Sequence, residues 1–249
     1  MDLFSFPPIA AILELAYAGL MGLATLLTPV TGASAASAAV ILVTLLVRTA
    51  LIPAGISQAK AEQTRARLAP KPRELQKRWR KNPERLQRET MQLYKDEQTS
   101  PFAGFLPLFA QAPVIGIVYA LFLHTVISGH PNALLDETLF GVPLGTSLAG
   151  AITHGSLDVA TAIVCGGIVV LIACVGEVTR RLLRMPQPPR DEGAATALPL
   201  GWLGILQFMT AVVAVFVPLA AGLYLVVTVT WTLVQRVVLR RRYPLPDLS

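Results

Sequence analysis

Charge is scarce in this sequence of 249 residues. Only 14% of the residues are Asp, Glu, Lys or Arg, whereas an average soluble domain has about 25%. The hydrophobic set makes up 53% of the chain. So few charged side chains cannot cover such an apolar chain in water, which argues against a water-soluble fold. The composition therefore predicts an integral membrane protein.

The residues that usually build catalytic or metal sites are also few. Cys165 and Cys174 lie nine residues apart in one apolar run, so on a helix they point to opposite faces about 13 Å apart along the axis. They can neither form a disulfide together nor share a metal. His124, His130 and His154 lack metal-ligand spacing, and no nucleophile–base pattern or pair of carboxylates is present. We therefore predict no enzyme activity, no metal and no cofactor.

The 21 bases are distributed very unevenly. Residues 58–100 contain twelve, residues 176–203 contain four and residues 236–242 contain four, which leaves one base elsewhere. Residues 1–47 and 128–157 contain none. Because short loops rich in Lys and Arg stay in the cytoplasm, residues 58–100, 176–203 and 240–249 are predicted to be cytoplasmic, and the base-free N-terminus and residues 128–157 to lie outside.

Apolar windows of about 20 residues, the length needed to cross a bilayer, then give five crossings. The apolar run from about 198 to 239 would be about 60 Å long as one helix, so it must fold back, and Pro218 and Gly222 favour a break there. The predicted fold is an all-α integral membrane protein with its N-terminus outside and its C-terminus in the cytoplasm. The predicted transmembrane helices cover residues 33–57, 101–127, 158–178, 199–217 and 219–239.

The remaining segments connect or flank these helices. Residues 1–32 are predicted to form an apolar helix at the outer interface rather than a cleaved signal, because the first residues carry Asp2 and no base. The Gly-rich residues 128–157 form an outer loop, residues 179–198 a cytoplasmic loop and residues 240–249 a cytoplasmic tail.

Residues 58–100 form a distinct cytoplasmic segment with twelve bases and six acids. Helix-forming residues dominate, and Asn82-Pro83-Glu84 is typical of a helix start, with an N-cap, a proline at the first position and an acid in the first turn. We predict two helices that meet near residues 80–83 as an antiparallel hairpin with few apolar contacts. The segment is either a solvated loop that enforces topology or a surface for anionic lipid or ribosomal RNA.

The remaining base, Arg48, is predicted to lie close to the middle of the first transmembrane helix. Its side chain would have to climb about 15 Å of helix to reach the cytoplasmic interface. An ion pair would need Asp158 or Glu177, which lie near the ends of their helix. Because a central Arg costs about 2.5–3.5 kcal/mol on insertion scales, we favour a functional Arg48 in contact with water.

Polar side chains on other predicted crossings fit a hydrated cavity around this Arg. Thr44 precedes Arg48 by one helical turn. Gln111, Tyr224 and Thr228 lie on the second and last crossings, and Tyr224 and Thr228 share one side of a helix. Each residue alone could be a polar contact between helices, but together with Arg48 they favour one water-filled groove.

Several segments of the chain resemble the YidC/Oxa/Alb membrane protein insertases, over residues of about 35 to 240. The similar segments are residues 48–53 (Arg-Thr-Ala-Leu-Ile-Pro), 68–77, 91–95 (Met-Gln-Leu-Tyr-Lys), 105–119 and 218–235. Their order and spacing agree with the five-crossing topology. The short stretch before the first crossing resembles the compact bacterial form, and a location in the bacterial cytoplasmic membrane is implied. The chain departs from the family pattern at Leu225 and Val229.

The resemblance implies a chaperone-like insertase that hydrolyses no nucleotide and whose helices enclose a hydrated groove closed to the outside. By position, Arg48 would supply the positive charge of the groove, with Thr44, Gln111, Tyr224 and Thr228 around it. The implied partners are nascent membrane proteins and the lipid bilayer, together with the Sec translocon and the ribosome, and no small-molecule substrate. The basic hairpin would contact clients first.

Two other classes of function stay open from the residues alone. A small anion transporter or channel could use Arg48 to bind its substrate, although such proteins typically show an inverted repeat and broken helices at equivalent positions. A membrane assembly scaffold that transports nothing would need only helix packing.

Overall fold

The computed structural model describes residues 7–68, 70–97, 116–127, 129–182 and 208–244, without the side chains of Arg65 and Arg73. This part of the chain is mostly helical. It divides into two compact units, one from residues 1–50 and 114–233 and one from residues 51–113 and 234–249.

The described residues form ten α-helices and four short strands, and the strands all lie between residues 126 and 143. In chain order the helices are α1 (Pro7–Thr31), α2 (Ala35–Ala50), α3 (Ile52–Leu68), α4 (Pro70–Arg78), α5 (Pro83–Asp96), α6 (116–123), α7 (Leu148–Thr153), α8 (Val159–Leu182), α9 (Met209–Phe216) and α10 (Leu219–Arg242). The strands are β1 (Val126–Ile127), β2 (His130–Pro131), β3 (Thr138–Leu139) and β4 (Val142–Pro143), paired antiparallel as β1–β2 and β3–β4.

Among the described residues, three helical stretches are long and apolar enough to cross a bilayer, namely Pro7–Ala50, Val159–Leu182 and Leu219–Arg242. They overlap the predicted first, third and fifth crossings. Residues 101–115 of the predicted second crossing and residues 199–207 of the predicted fourth lie outside the described residues, and α6 and α9 are helical parts of the remainder. An all-α membrane protein is therefore confirmed in outline. The number of crossings and their orientation stay predictions.

The N-terminal helix α1 lies within the predicted helix at 1–32, of which residues 1–6 are not described, and its location at the outer interface stays a prediction. A 3₁₀ turn at Gly32–Ser34, in which Gly32 has a φ of +56°, separates α1 from α2. The two helices pack side by side, with Leu20 of α1 and Val40 of α2 in one hydrophobic cluster. The opposite side of α1 exposes Leu15, Leu26 and Val30, as expected for a helix in contact with lipid.

The helix of the first predicted crossing, residues 33–57, is interrupted at Leu51, and the extent of this crossing stays a prediction. Helix α2 ends at Ala50 and α3 begins at Ile52. Pro53 has no N–H to donate to the preceding turn, but it is tolerated in the first turn of a new helix. The sequence prediction gave this proline too little weight.

Two hydrophobic clusters in the first unit show how α8, α9 and α10 run. The first cluster contains Cys165 of α8 and Leu219–Leu223 of α10, and the second contains Ile172 of α8 with Val229 of α10 packed against it. Helices α8 and α10 therefore run in the same direction. Ala211, near the start of α9, belongs to the second cluster. Val217, directly after the end of α9, packs against the first cluster.

The predicted fold-back near Pro218 is accordingly present. Val217 has an extended backbone (φ −85°, ψ 154°) at the end of α9, and α10 begins at Leu219. Proline at residue 218 cannot donate a hydrogen bond to the end of α9, so the chain reverses there and α9 and α10 form an antiparallel pair.

The region predicted as an outer loop has more structure than the Gly-rich composition indicated. We call residues 129–147 the docked loop. Leu134, Val142 and Leu144 of this loop are almost fully buried in the first cluster, and β3 contacts the 3₁₀ turn and α2. The sequence analysis missed the strands because each is only two residues long, too short for an alternating pattern.

Backbone and side-chain hydrogen bonds tie the docked loop to the helices. The N–H groups of Leu219 and Ala220, in the first turn of α10, donate to the carbonyls of Thr146 and Leu144 at 2.9 and 3.0 Å. These donors lack partners within their own helix. The buried amide of Asn132 donates to the carbonyls of Leu121 (2.7 Å) and His124 (2.9 Å) at the end of α6.

In the second unit, α4 and α5 are two helices that meet at residues 79–82, within the segment predicted as a basic hairpin, whose cytoplasmic location stays a prediction. The side chain of Asn82 accepts a hydrogen bond from the N–H of Arg85 at 3.1 Å, and Pro83 is the first residue of α5. Glu97 forms ion pairs with Arg67 (3.3 Å) and Lys71. Helix α5 has no buried residue, so the hairpin is weakly packed, as predicted.

Also in the second unit, α3 lies along the C-terminal part of α10 in the same direction. A Cβ on Gly55 would lie 1.9 Å from Nε2 of Gln235, and further along, the side chain of Gln63 donates to the carbonyl of Pro244 at 2.9 Å. Both residue numbers increase together, so the two helices are parallel. In the predicted five-crossing topology the first and last membrane helices also run in the same direction, because three crossings lie between them.

Replacing Asn132 with Ala should destabilise the protein by about 1–3 kcal/mol, because two buried carbonyls lose their donor. Thermal unfolding of the detergent-solubilised protein measures the effect. Asp136→Ala changes an exposed side chain of the same loop and should leave the midpoint within about 1 °C of wild type. Equal midpoints for Asn132→Ala and wild type would contradict the assigned role of the amide.

The contact between α1 and the docked loop should weaken at alkaline pH. Nε2 of His130 lies 3.1 Å from Oε2 of Glu14, and this hydrogen bond, with a second one to the carbonyl of Pro131, raises the pKa of His130. A raised pKa stabilises the fold below the unfolded value near 6.5, and the stabilisation is lost as the pH rises through the folded value.

The unfolding midpoint of wild type should therefore fall between pH 6 and pH 8 by more than that of Glu14→Gln. Thermal unfolding in detergent at both pH values checks this difference. The same pH dependence in both proteins would show that the pair contributes nothing.

The orientation of the membrane helices can be tested with single cysteines at exposed positions in a background without Cys174. Asp136→Cys in the docked loop should react with an impermeant maleimide added outside cells, whereas Arg80→Cys at the hairpin turn should react only after lysis. Labelling of Arg80→Cys from outside would invert the predicted topology.

Candidate functional site

Arg48 lies in the last turn of α2, and its location near the middle of the first membrane crossing stays a prediction. Its side chain is partly exposed. It is the only charged residue between Glu14 and Lys60. The C-terminal end of a helix carries a partial negative charge, which favours a cation there. The N-terminus of α3 begins at Ile52 and carries the opposite partial charge, so the two helix ends together offset little of the desolvation cost of this guanidinium.

The ion pairs of the described residues leave Arg48 without a carboxylate partner. Glu177, one of the two acids that could have neutralised it, instead contacts Arg180 (2.7 Å) and Arg181 (2.6 Å) at the end of α8. Asp158, the other acid, accepts a hydrogen bond from the N–H of Thr161 at 2.9 Å. The ion-pair alternative considered from the sequence is thus not realised in the described part of the chain.

A line of polar residues runs along α2 towards Arg48. Thr44 is 5% exposed, and its hydroxyl donates to the carbonyl of Val40 at 2.6 Å. Ser37, two turns before Thr44, is also buried, and its Oγ has no hydrogen-bond partner among the described residues. The sequence analysis missed Ser37, although its spacing of seven from Thr44 and eleven from Arg48 places all three on one helix face.

Helix α10 carries a second polar line. Tyr224 is partly buried against the first hydrophobic cluster. Within the described part of the chain, the buried Oγ1 of Thr228 and the buried Nε1 of Trp231 have no hydrogen-bond partner. The carbonyl of Thr228 accepts a hydrogen bond from the hydroxyl of Thr232 at 2.8 Å. Trp231 was missed because tryptophan counts as apolar, but it follows Thr228 by three residues.

The two polar lines are connected through the first hydrophobic cluster rather than by direct bonds. That cluster contains Val40, one turn before Thr44, and Tyr224 packs against it. Among the described residues, no hydrogen bond or ion pair joins Arg48 to Tyr224 or Thr228. Gln111, the other predicted site residue, lies outside the described residues.

Groups that would indicate other chemistry are not found in the described part of the chain. No cluster of three or more His, Cys, Asp or Glu side chains could hold a metal there. Cys165 is buried and Cys174 exposed, and both are free thiols, in agreement with their predicted positions on opposite faces of one helix.

The hairpin of the second unit presents bases around an aromatic ring at its turn. The guanidinium carbon of Arg85 lies 3.8 Å from the ring centre of Trp79, and that of Arg78 lies 5.5 Å from it. A shallow groove of about 340 Å³ between α4 and α5 is lined by both charged residues and leucines, including Leu75 and Leu93. The lining carries two bases, Lys71 and Arg78, and three acids, Glu74, Glu89 and Asp96, so the bases of the hairpin lie mainly outside this groove.

Known proteins show clear similarity to this chain. The family model described as 60Kd inner membrane protein matches residues 26–246. A membrane protein insertase YidC from Streptomyces avermitilis is 25% identical over 225 residues, which cover 83% of this chain and 51% of that protein. Another YidC, from Clostridium perfringens, is 32% identical over 115 residues, which cover 46% of this chain and 48% of that protein.

These matches show the family of the chain, but they do not show its activity or its partners. The chain spans about half the length of these relatives, so their activity and partners come to it only as a proposal. The family model, in contrast, covers almost the whole sequence, and the long apolar helices agree with a multi-pass protein. The chain belongs to the YidC/Oxa/Alb family of 60Kd inner membrane proteins and is a protein of the bacterial cytoplasmic membrane.

Proposed function

We propose that the protein is a membrane protein insertase that moves hydrophobic segments and short acidic outer tails of client proteins into the bilayer. The observation that carries the proposal is Arg48, a partly exposed cation at the end of an apolar helix with no carboxylate partner among the described residues. The membership of the chain in the 60Kd inner membrane protein family supports it.

The proposed role of Arg48 is electrostatic. Two unit charges 4 Å apart attract each other by about 1 kcal/mol in water and by about 4 kcal/mol at an effective dielectric constant of 20. An acidic residue in the outer tail of a client would gain this energy near Arg48, which reduces the cost of leaving bulk water. A permanent internal ion pair would cancel the attraction, so the absence of a described partner favours this role.

The polar residues on α2 and α10 would keep water near the cation. Thr44 and Ser37 extend the polar line of α2, and Tyr224, Thr228 and Trp231 provide hydroxyl and indole groups on α10. Buried polar atoms without protein partners are costly, and water or the backbone of a client can supply the missing hydrogen bonds. These groups therefore suit a groove that accepts polar segments for a short time.

The apolar surface of the helices would provide the path into lipid. Helix α8 exposes Ile163, Val170 and Leu171, and a hydrophobic client helix gains by burying its own surface in the same environment. No step needs nucleotide hydrolysis, because transfer of an apolar helix from water to lipid is itself favourable. The basic hairpin, with its groove between α4 and α5, is proposed as the first client contact, and the Sec translocon and the ribosome as further partners.

Insertion assays in a host depleted of its own insertase test the role of Arg48. Wild type and Arg48→Lys should insert a single-span client with an acidic outer tail, whereas Arg48→Ala should insert it about tenfold less, since a loss of 1.4 kcal/mol corresponds to a factor of ten. The same client with a neutral tail should be affected much less. Protease protection of the outer tail measures insertion.

Arg241→Ala removes another exposed base, at the end of α10, and is the matched control for net charge. Immunoblots confirm equal amounts of each variant. Equal insertion of the acidic client by wild type and Arg48→Ala would remove Arg48 from the mechanism. Anion flux in proteoliposomes that disappears with Arg48→Ala would instead support the transporter alternative.

A further inference from the structure

The hairpin turn between β3 and β4 exposes one large aromatic side chain. Phe140 is 78% exposed and is followed by Gly141, and the two residues have φ angles of +52° and +83°. Two-residue turns with positive φ at both positions join antiparallel strands well, but they prefer Asn, Asp or Gly. Within the described residues, Phe140 is the only residue other than glycine with a positive φ.

The choice of phenylalanine is therefore costly for the folded loop. A bulky side chain in the left-handed region meets steric repulsion from its own backbone, and the exposed ring gains no packing energy from the described part of the chain. Asparagine would relieve the strain and improve solubility in water. When the surrounding structure holds a residue in an unfavourable conformation, the residue often serves a function, and here that function is a contact outside the protein.

The position of the hairpin identifies the environment of the ring. Strand β3 contacts the 3₁₀ turn that precedes α2, and β4 contacts α8. The docked loop also caps the start of α10. The β3–β4 turn thus lies at the end of the first unit where membrane helices begin, which is the depth of the boundary between lipid and water.

Apolar exposure continues from the ring onto the neighbouring elements. Val30, two residues before the 3₁₀ turn, is 83% exposed, and Val159, the first residue of α8, is 75% exposed. Residues 138–157 contain no Asp, Glu, Lys or Arg, and the exposed Asp136 and Asp158 flank this stretch. Exposed apolar side chains at the ends of transmembrane helices, with charged residues beside them, match the boundary between lipid and water.

We infer that Phe140 is a membrane anchor whose ring inserts into the leaflet on the side of the docked loop. The lipid contact offsets the strain of the turn and holds the docked loop at the bilayer surface. This inference is independent of the insertase activity, because it concerns the position of the loop and not the handling of clients.

Fluorescence quenching in proteoliposomes tests the anchor directly. An NBD probe is attached to Phe140→Cys or to Asp136→Cys in a background of Cys165→Ala and Cys174→Ser. At residue 140 the probe should be quenched by nitroxides on shallow lipid positions and protected from aqueous iodide. At residue 136, which is exposed in the same loop, iodide should quench it and the lipid nitroxide should not.

Hydrogen exchange in lipid nanodiscs separates the lipid contact from the strain. Phe140→Asn removes the ring and relieves the strain of the turn. If strain alone mattered, the amides of residues 136–143 would exchange more slowly than in wild type. Loss of an anchor predicts that they exchange several-fold faster than in wild type. Phe140→Trp keeps an interfacial aromatic and should exchange like wild type.

Exchange in Phe140→Asn that is equal to or slower than wild type would overturn the anchor. So would iodide quenching of the probe at residue 140. Protection of that probe from both quenchers would also overturn it and would indicate a second protein copy over the ring.

Discussion

Two backbone hydrogen bonds, from Leu219 and Ala220 to the carbonyls of Thr146 and Leu144, join the start of the last helix to the docked loop. Around them the side chains of Leu134, Val142 and Leu144 have almost no exposure. The first hydrophobic cluster therefore draws on α2, α8, α10 and the docked loop together. This junction joins the fold-back at Pro218 and the start of α10 to the docked loop.

The second constraint is the cost of charge in an apolar chain. Within α1 and α2 only Glu14 and Arg48 are charged, and they are treated differently. Glu14 contacts His130 of the docked loop, whereas Arg48 lies at a helix end without a described carboxylate. The contact of Glu14 with His130 is consistent with a structural role. Arg48, which has no described carboxylate partner, is consistent with a site for a transient partner.

Sequence reasoning located the features that depend on composition and local chemistry. Charge segregation and apolar length predicted the membrane helices, Asn82 and Pro83 predicted the start of α5, and Pro218 predicted the fold-back. These signals are local, so one sequence is enough to detect them. Thr44, Tyr224 and Thr228 were identified as polar residues in apolar helices by the same reasoning, although their function as a groove stays a prediction, as does that of Gln111.

Features that depend on distant contacts could not be predicted in this way. The burial of Leu134 and Leu144 results from helices far along the chain, and a strand of two residues has no period. The end of α2 at Ala50 had a local signal in Pro53, but the apolar residues on both sides of this proline gave the pattern of one uninterrupted helix. Ser37 and Trp231 were missed because their polar atoms matter only once burial leaves them without partners.

The junction between the docked loop and α10 also sets an order for biosynthesis. The carbonyls of Thr146 and Leu144 leave the ribosome more than 70 residues before the N–H groups of Leu219 and Ala220 that bond to them. At about 5–20 residues per second, the loop waits several seconds for its partner. The end of the molecule that carries the docked loop is therefore completed only when the last membrane helix has been inserted.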